Sequence, residues 1–330
     1  MMKLVLHIGT EKTGSTSIQG WLHDNKARLR DNGVFLSEVL STPNNRSLVH
    51  CFQKEIDEYF LHQGIRTLDE RDRVRDEILA GFSSEILSQD ASVHTAILTS
   101  EHFHSRLTSS EEIGHFLRFA RGVFSDIQVI CYFRNQLALC RSKYSTAVRA
   151  WRSESFEEYL HSNTEMAAYY DLYALAVRWA KAVGKDKVSY RSYDTLREER
   201  RDIRRDFMEA AGLDGFSGQM DYTGRSQNMS LSLMDANVLR AINSILPAMK
   251  TDGTPSKANR AAKKTVLPLA GGVQRLTGRR SISASRHAEA RVRERFADTN
   301  EMLFAEFGVD IRMTGSREKT GVGHLTESGV

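Results

Sequence analysis

The chain has 330 residues, with 46 Lys and Arg against 42 Asp and Glu, so its formal net charge at pH 7 is +4. It is 40% hydrophobic and 27% charged, with only 4 Pro and 3 Cys. This composition is typical of a globular protein and excludes the disordered, collagen-like and disulfide-scaffold classes. The length accommodates one large domain or two modest ones.

The three cysteines, Cys51, Cys131 and Cys140, stand in apolar or helical sequence contexts. An odd number cannot pair completely within one chain, and their spacing is not that of a zinc site, so we expect buried thiols in a reducing compartment and no bound metal. The apolar run at the start is too short for a signal peptide. No other run approaches the ~20 residues of a membrane span. We therefore expect a soluble, cytoplasmic protein.

The predicted elements begin with a strand, a loop and a helix. Residues 3–8 form a short apolar run that predicts a strand buried on both faces of a parallel sheet. Residues 9–14 form the turn, and the apolar residues that follow recur at helical spacing from Ser15 to about Arg30. A polar stretch ending in glycine then precedes a second strand over residues 34–36.

The same alternation continues along the chain. The further predicted strands cover 95–99, 128–133 and 187–190, and the further predicted helices cover about 69–89, 111–124, 136–151, 201–211 and 297–307. Alternating strands and helices predict an α/β fold with a mainly parallel sheet flanked by helices. Ligands of such sheets bind beyond the carboxyl ends of the strands, here after Ile8, Leu36, Thr99 and Phe133.

The loop between the first strand and the first helix, residues 9–17, gives the strongest functional signal. Its glycines, Gly9 and Gly14, allow a tight turn, and the first N–H groups of the helix would face an anion. Lys12 adds a mobile positive charge. Hydroxyl donors come from Thr13, Ser15, Thr16 and Ser17. The pattern predicts a phosphate-binding loop in a P-loop-like three-layer fold.

This loop is not a Walker A sequence. That pattern places lysine directly after its second glycine, where this chain has Ser15, and Lys12 lies two positions before Gly14. An ATPase that depends on Mg²⁺ is therefore disfavoured.

Two segments together resemble one enzyme family. Residues 7–19, HIGTEKTGSTSIQ, resemble the 5′-phosphosulfate loop of PAPS-dependent sulfotransferases, particularly bacterial enzymes of the carbohydrate-sulfotransferase branch. Residues 132–144 resemble the family's 3′-phosphate segment, a strand that ends in arginine with a serine eight residues later on the next helix. Weaker similarity extends over most of the chain up to about residue 246 and again near 290–307.

The resemblance implies PAPS as co-substrate and PAP as product, without a metal. Lys12 would stabilise the bridging oxygen as PAP leaves, residues 12–17 would bind the 5′-phosphate, and Arg134 and Ser142 would bind the 3′-phosphate. Arginine at the end of a strand suits a bidentate clamp on phosphate. Arg225, in a later loop, could contact the nucleotide, but a surface arginine fits that position better.

Transfer to a hydroxyl group needs a general base. The candidates stand after predicted strands and are Glu101, His102, His104, His50 and Glu38. Glu101 is the first candidate, because a carboxylate desolvated beside Phe103 would have a raised pKa. The histidines are alternatives, with ordinary pKa values near neutrality. The sequence leaves the choice open.

The acceptor is predicted from the helix that follows the second motif. Its aromatic and arginine side chains could line a groove suited to sugars or acidic glycans, and they are Tyr144, Arg149, Trp151 and Arg152. A carbohydrate or glycolipid hydroxyl is the expected acceptor. Two other functions stay open at this point: a kinase-like phosphotransferase and a non-enzymatic protein that binds polyanions or nucleic acid.

Positive charge concentrates near the end of the chain. Residues 251–296 carry eleven Lys and Arg against three Asp and Glu, a local charge of +8. Without interleaved aromatic residues, this segment predicts no specific nucleic-acid site, and it could contact an anionic glycan or a membrane surface. We expect a single domain over 1–311 with a basic loop-rich or helical insertion at 247–290, followed by a disordered tail at 312–330.

Overall fold

The computed structural model describes residues 2–164, 167–224, 231–247, 256–278 and 280–313. The strands in these residues are β1 (Lys3–His7), β2 (Val34–Phe35), β3 (Thr95–Thr99), β4 (Asp126–Phe133) and β5 (Val188–Ser192). They form a parallel sheet in the order β2-β3-β1-β4-β5. The predicted α/β fold with a mainly parallel sheet flanked by helices is confirmed.

Helices connect the strands and continue beyond the last one. In chain order they are α1 (Ser15–Asp24), α2 (Lys26–Asp31), α3 (Arg46–His50), α4 (Glu58–His62), α5 (Leu68–Leu87), α6 (His102–Arg106), α7 (Ser110–Val123), α8 (Gln136–Ala150), α9 (Phe156–Thr164), α10 (Ala167–Tyr170), α11 (Leu172–Val183), α12 (Tyr193–Glu198), α13 (Ile203–Ala211), α14 (Leu233–Ile245), α15 (Lys257–Thr277), α16 (Arg286–Arg295) and α17 (Ala297–Phe307). Short 3₁₀ helices cover Lys185–Lys187 and Asp214–Gln219.

The central strand β1 shows why the sheet is covered on both faces. Its side chains alternate between two buried clusters, since Leu4 and Leu6 face the cluster that contains α7 and α11, and Val5 faces the cluster that contains α1 and α13. A third buried cluster joins α8 and α9 to α14 and α16. The sheet therefore lies between two helical layers, and the later helices pack around α8.

The strand order places a crevice between β1 and β4. These strands are neighbours, with His7 opposite Ile130, but the chain leaves β1 towards β2 on one side and leaves β4 towards β5 on the other. Such a switch point is where open α/β sheets bind ligands.

One predicted helix is interrupted. The pattern from residue 15 to 30 predicts a continuous helix, but α1 ends before Asn25 and α2 begins after it. The Asn25 amide donates to the carbonyl of Trp21 at 3.0 Å and to the carbonyl of Asp221 at 3.0 Å, and its oxygen accepts from the Asp221 amide at 2.7 Å. The side chain thus competes with the helical ladder for backbone partners, and the helix ends there.

The basic segment is helical over α15. The Asn259 side chain of this helix donates to the carbonyl of Leu246 at 2.6 Å and to Asn243 Oδ1 at 3.1 Å, and this attaches α15 to α14. Near the end of the described chain, Val309 and Ile311 are buried in the main core. Most of the predicted tail lies outside the described residues, and the domain limits stay a prediction. No helix in the described ranges combines the length and apolar composition needed to cross a bilayer.

Candidate functional site

The loop after β1 is tied to the end of β4. Thr10 Oγ1 donates to the carbonyl oxygen of Tyr132 at 2.9 Å, and Arg134 Nη1 donates to the carbonyl oxygen of Lys12 at 3.0 Å. The two segments that sequence analysis singled out, separated by more than a hundred residues, therefore meet at the crevice between β1 and β4.

The conformation of the loop depends on its two glycines. Gly9 has a φ of 43° and Gly14 a φ of 87°. A Cβ atom at Gly9 would lie 2.8 Å from Ser15 Oγ, and one at Gly14 would lie 2.9 Å from Ile203 Cδ1. Lys12 also has a positive φ, 68°, which is uncommon for a residue with a side chain. Backbone strain of this kind is typical of functional loops.

The four predicted hydroxyl donors are not equivalent. Thr13 Oγ1 donates to the carbonyl oxygen of Thr10 at 2.7 Å, and Ser15 Oγ is 3.4 Å from the same oxygen. Thr16 is exposed and Ser17 is half-buried at the start of α1. In this conformation Thr13 and Ser15 stabilise the loop itself. An anion would bind to the hydroxyls of Thr16 and Ser17 together with the first N–H groups of α1.

Lys12 lies among charges of both signs. Burial lowers the pKa of its ammonium group, the carboxylates of Glu11 and Glu101 oppose that change, and the cations of Lys143 and Arg149 reinforce it. The half-buried ammonium thus interacts electrostatically with two carboxylates and two cations.

Arg134 is a buried cation with unused hydrogen-bonding capacity. Its side chain packs with the guanidinium 5.4 Å from the ring centroid of Tyr193, and its Nε lies 3.6 Å from Asp194 Oδ1. That Nε is buried and makes no hydrogen bond with any described residue. Burial lowers the pKa of Arg134 and Asp194 opposes the change. Ser142 is half-buried on α8, the helix that begins two residues after Arg134.

Glu101 and His102 follow β3, on the other side of β1. Glu101 Oε2 accepts from Gln19 Nε2 at 2.7 Å and from Asn44 Nδ2 at 3.1 Å. Its Cβ lies 3.6 Å from the point where a Cβ of Gly9 would stand, so Glu101 packs against the loop. His102 has a buried Nδ1 without a hydrogen bond, and burial lowers the pKa of the ring.

The remaining candidates for the base are engaged elsewhere. His104 is buried and donates from Nε2 to the carbonyl oxygen of Tyr169 at 3.1 Å. His50 is also buried, and its Nε2 accepts from Arg46 Nε at 2.9 Å. Glu38 forms an ion pair with Lys26 at the exposed side of the molecule. Among these candidates Glu101 packs against the loop, and His102 follows Glu101 directly in the sequence.

One of the residues predicted to line an acceptor groove is buried, and others of the set are exposed. Tyr144 is 1% exposed and donates to the carbonyl oxygen of Glu154 at 2.9 Å, so it belongs to the core instead of lining a groove. Trp151 is 56% exposed at the end of α8, with the guanidinium of Arg152 4.7 Å from its ring centroid. Arg149 is exposed on the same helix. Arg225 lies outside the described residues.

Several side chains that support the site were not among the residues predicted from the sequence. Gln19 and Asn44 hold Glu101, and Asp194 accepts from Asn135, which caps α8 through Ala138 N. Gln19 lies within the resembling segment, so its position carried a usable signal. Asn44 and Asp194 carried none, since only the fold brings them to the sheet edge. Among the described residues, no group of His, Cys, Asp or Glu side chains is arranged to hold a metal ion.

Comparisons with known proteins give structural neighbours only. No family model matches the sequence, and no curated protein matches it. A sulfotransferase from Alicyclobacillus acidocaldarius is similar with a TM-score of 0.41 and 13% identity, covering 80% of this chain and 95% of that one. The sulfotransferase domain of the Synechococcus PCC 7002 olefin synthase is similar with a TM-score of 0.31 and 11% identity, covering 80% and 94%.

Proposed function

We propose that the chain transfers a sulfuryl group from PAPS to an acceptor hydroxyl, on a carbohydrate or glycolipid, and releases PAP. The observation that carries the proposal is the hydrogen bond from Arg134 to the carbonyl of Lys12. It joins a strained, glycine-containing loop after β1 to a buried arginine after β4. A nucleotide with anionic groups at both its 5′ and 3′ positions matches two cationic centres held side by side.

The residues present fit such a nucleotide. Arg134 presents a buried Nε that hydrogen-bonds to none of the described residues, and Gly9 and Gly14 give the loop the positive φ angles that its tight turn requires. Residues 12–17 would hold the 5′-phosphosulfate, and Arg134 and Ser142 would hold the 3′-phosphate. When bound, PAPS supplies an activated sulfuryl group to the acceptor oxygen.

Lys12 and Glu101 take the two chemical roles. The ammonium group of Lys12 neutralises charge that develops on the bridging oxygen as the bond from sulfur to that oxygen breaks. Glu101 accepts the proton of the acceptor hydroxyl as its oxygen bonds to sulfur. Gln19 and Asn44 orient the Glu101 carboxylate through one oxygen, and the other is left to take the proton. His102 is the second candidate for the base.

Donor binding and transfer can be tested together. PAP at 100 times its Kd should stabilise the protein by about 2.7 kcal/mol, and radiolabelled sulfate should pass from PAPS to a glycan or glycolipid in an acceptor panel. Lys12→Met should fold and lose transfer, whereas Lys26→Met, which removes a half-buried cation paired with Glu38, should retain it. Stabilisation by ATP with Mg²⁺ but not by PAP would favour the phosphotransferase and overturn the proposal.

A further inference from the structure

A largely buried ion-pair network adjoins Lys12. Glu11 Oε2 accepts from Tyr169 Oη at 2.8 Å and lies 3.3 Å from Lys143 Nζ. The same Nζ lies 3.5 Å from the ring centroid of Tyr169. We call Glu11, Lys143 and Tyr169 the Glu11 clamp. Because two donors converge on one carboxylate oxygen, the position of Glu11 is well defined.

The clamp connects the loop to elements that are distant in sequence. Lys143 belongs to α8 and Tyr169 to α10, and His104 of α6 donates to the carbonyl of Tyr169 at 3.1 Å. Glu11 therefore anchors the loop on one side of Lys12, and Arg134 anchors the Lys12 carbonyl on the other. Lys12 keeps its left-handed backbone between two fixed points.

The clamp also supplies charge to the site. From the loop and the end of β3, Glu11 and Glu101 favour the protonated form of Lys12, while Lys143 and Arg149 of α8 and the burial of the side chain disfavour it. Burial of Glu11 raises its pKa, but Lys143 and Tyr169 more than offset this and bring the pKa down to about 2. Glu11 is thus ionised throughout the neutral range.

We propose that Glu11 is a positioning residue that fixes the loop at Lys12 and keeps a negative charge beside it, and that Lys143 and Tyr169 hold Glu11 for this task. Its consequence for catalysis rests on the proposed function, because there Lys12 stabilises the leaving oxygen. The effect of Glu11 on the ionisation of Lys12 can be measured whether or not the protein has this activity.

The test compares the full-length protein with Glu11→Gln. Limiting acetic anhydride is applied across a pH series, and mass spectrometry gives the pH at which Lys12 is half-reactive. We expect this pH to fall by about one unit in Glu11→Gln, because a neighbouring carboxylate charge is removed while the amide can still accept from Tyr169. Glu77→Gln, an exposed change on α5, should leave it unchanged.

Kinetics provide a second measurement. The basic limb of the pH profile for kcat should move to lower pH in Glu11→Gln by the same amount, with KM for PAPS changed less than about twofold. A purely structural role would lower activity equally at every pH. A half-reactive pH identical to that of the wild type would overturn the proposal.

Two further outcomes are distinguishable. If Glu11→Gln does not fold, Tyr169→Phe tests the clamp through its hydrogen bond, and we expect a smaller decrease of the same half-reactive pH; no change would reject the proposal. If the wild type transfers no sulfate but the labelling shift is present, the proposed function fails and the role of Glu11 stands.

Discussion

The guanidinium of Arg134 donates a hydrogen bond to the backbone carbonyl of Lys12, 3.0 Å away, and so fixes the residue expected to act on the leaving group. Arg134 is 9% exposed, and its Nε makes no hydrogen bond with the part of the chain that the structure describes. Asp194 Oδ1 lies 3.6 Å from that Nε, beyond hydrogen-bond distance, so the donor is available to an anionic ligand. This relationship links the two halves of the proposed nucleotide site.

Arg134→Met should abolish the preference of the site for nucleotides that carry a 3′-phosphate. We expect the Kd of PAP to rise about 10- to 100-fold, because a hydrogen bond to a charged group contributes about 1.5–3 kcal/mol, while the Kd of 5′-AMP rises less than threefold. Isothermal titration calorimetry of both nucleotides measures the ratio. Arg30→Lys, an exposed position paired with Asp90, is the control and should keep the wild-type ratio. Equal losses for PAP and AMP would contradict a contact with the 3′-phosphate.

The base can be identified by a pair of amide substitutions. Glu101→Gln should lower kcat about 10²- to 10⁴-fold, the usual contribution of a general base, with the Kd of PAP unchanged. His102→Asn should lower kcat less than about tenfold, since its buried Nδ1 has no partner that would orient the ring as a base. Single-turnover kinetics separate chemistry from binding. The reverse ranking would transfer the role to His102.

Three glycine substitutions probe the shape of the loop. Gly14→Ala should destabilise the fold by about 1–2 kcal/mol, because the residue has a φ of 87° and its Cβ would lie 2.9 Å from Ile203 Cδ1. Gly9→Ala should weaken PAP binding, because the new Cβ would displace Ser15 Oγ. Gly20→Ala is the matched control, since it lies within α1 with nothing within 4 Å, and should stabilise by about 0.5–1 kcal/mol. Urea unfolding gives the free energies for Gly14→Ala and Gly20→Ala, and isothermal titration calorimetry gives the Kd of PAP for Gly9→Ala.

The sheet and the meeting of its two motifs could be predicted because both depend on local pattern. Residues 3–8 and 128–133 read as buried strands, and parallel strands bring their carboxyl ends to one edge. From this, the proximity of Lys12 and Arg134 follows. The short helices α3, α4 and α6 could not be predicted in the same way, since five residues are too few for a periodic signal.

The hydrogen bonds that support the site could not be predicted, because they join residues that are far apart in the sequence. Tyr169 reaches Glu11 across 158 positions of sequence, and Asn44 reaches Glu101 across 57. Neither Tyr169 nor Asn44 belongs to a recognisable sequence motif. Each supports the site because tertiary packing places one of its polar atoms next to a carboxylate. Tyr144 shows the converse, since its sequence position on the helix after Arg134 suggested a groove but its ring is buried.

Buried neutral histidines should make the fold sensitive to acid. Burial lowers the pKa of His7 to about 3 and that of His104 to about 4, from an ordinary value of 6.5. Below pH 6.5 the unfolded chain binds protons at these positions and the folded chain does not, so stability falls as the pH decreases from 6.5 towards 4. At pH 5 each of these histidines should lower the free energy of unfolding by about 2 kcal/mol relative to its value at neutral pH.

His104→Gln isolates one of these contributions. The glutamine amide can still donate to the carbonyl of Tyr169, but it does not titrate, so the loss of unfolding free energy between pH 7 and pH 5 should be smaller by about 2 kcal/mol than in the wild type. Urea unfolding at the two pH values measures the difference. His62→Gln, which changes an exposed histidine on α4, should leave the pH dependence unaltered. A His104→Gln protein with the pH dependence of the wild type would show that His104 titrates normally in the folded chain.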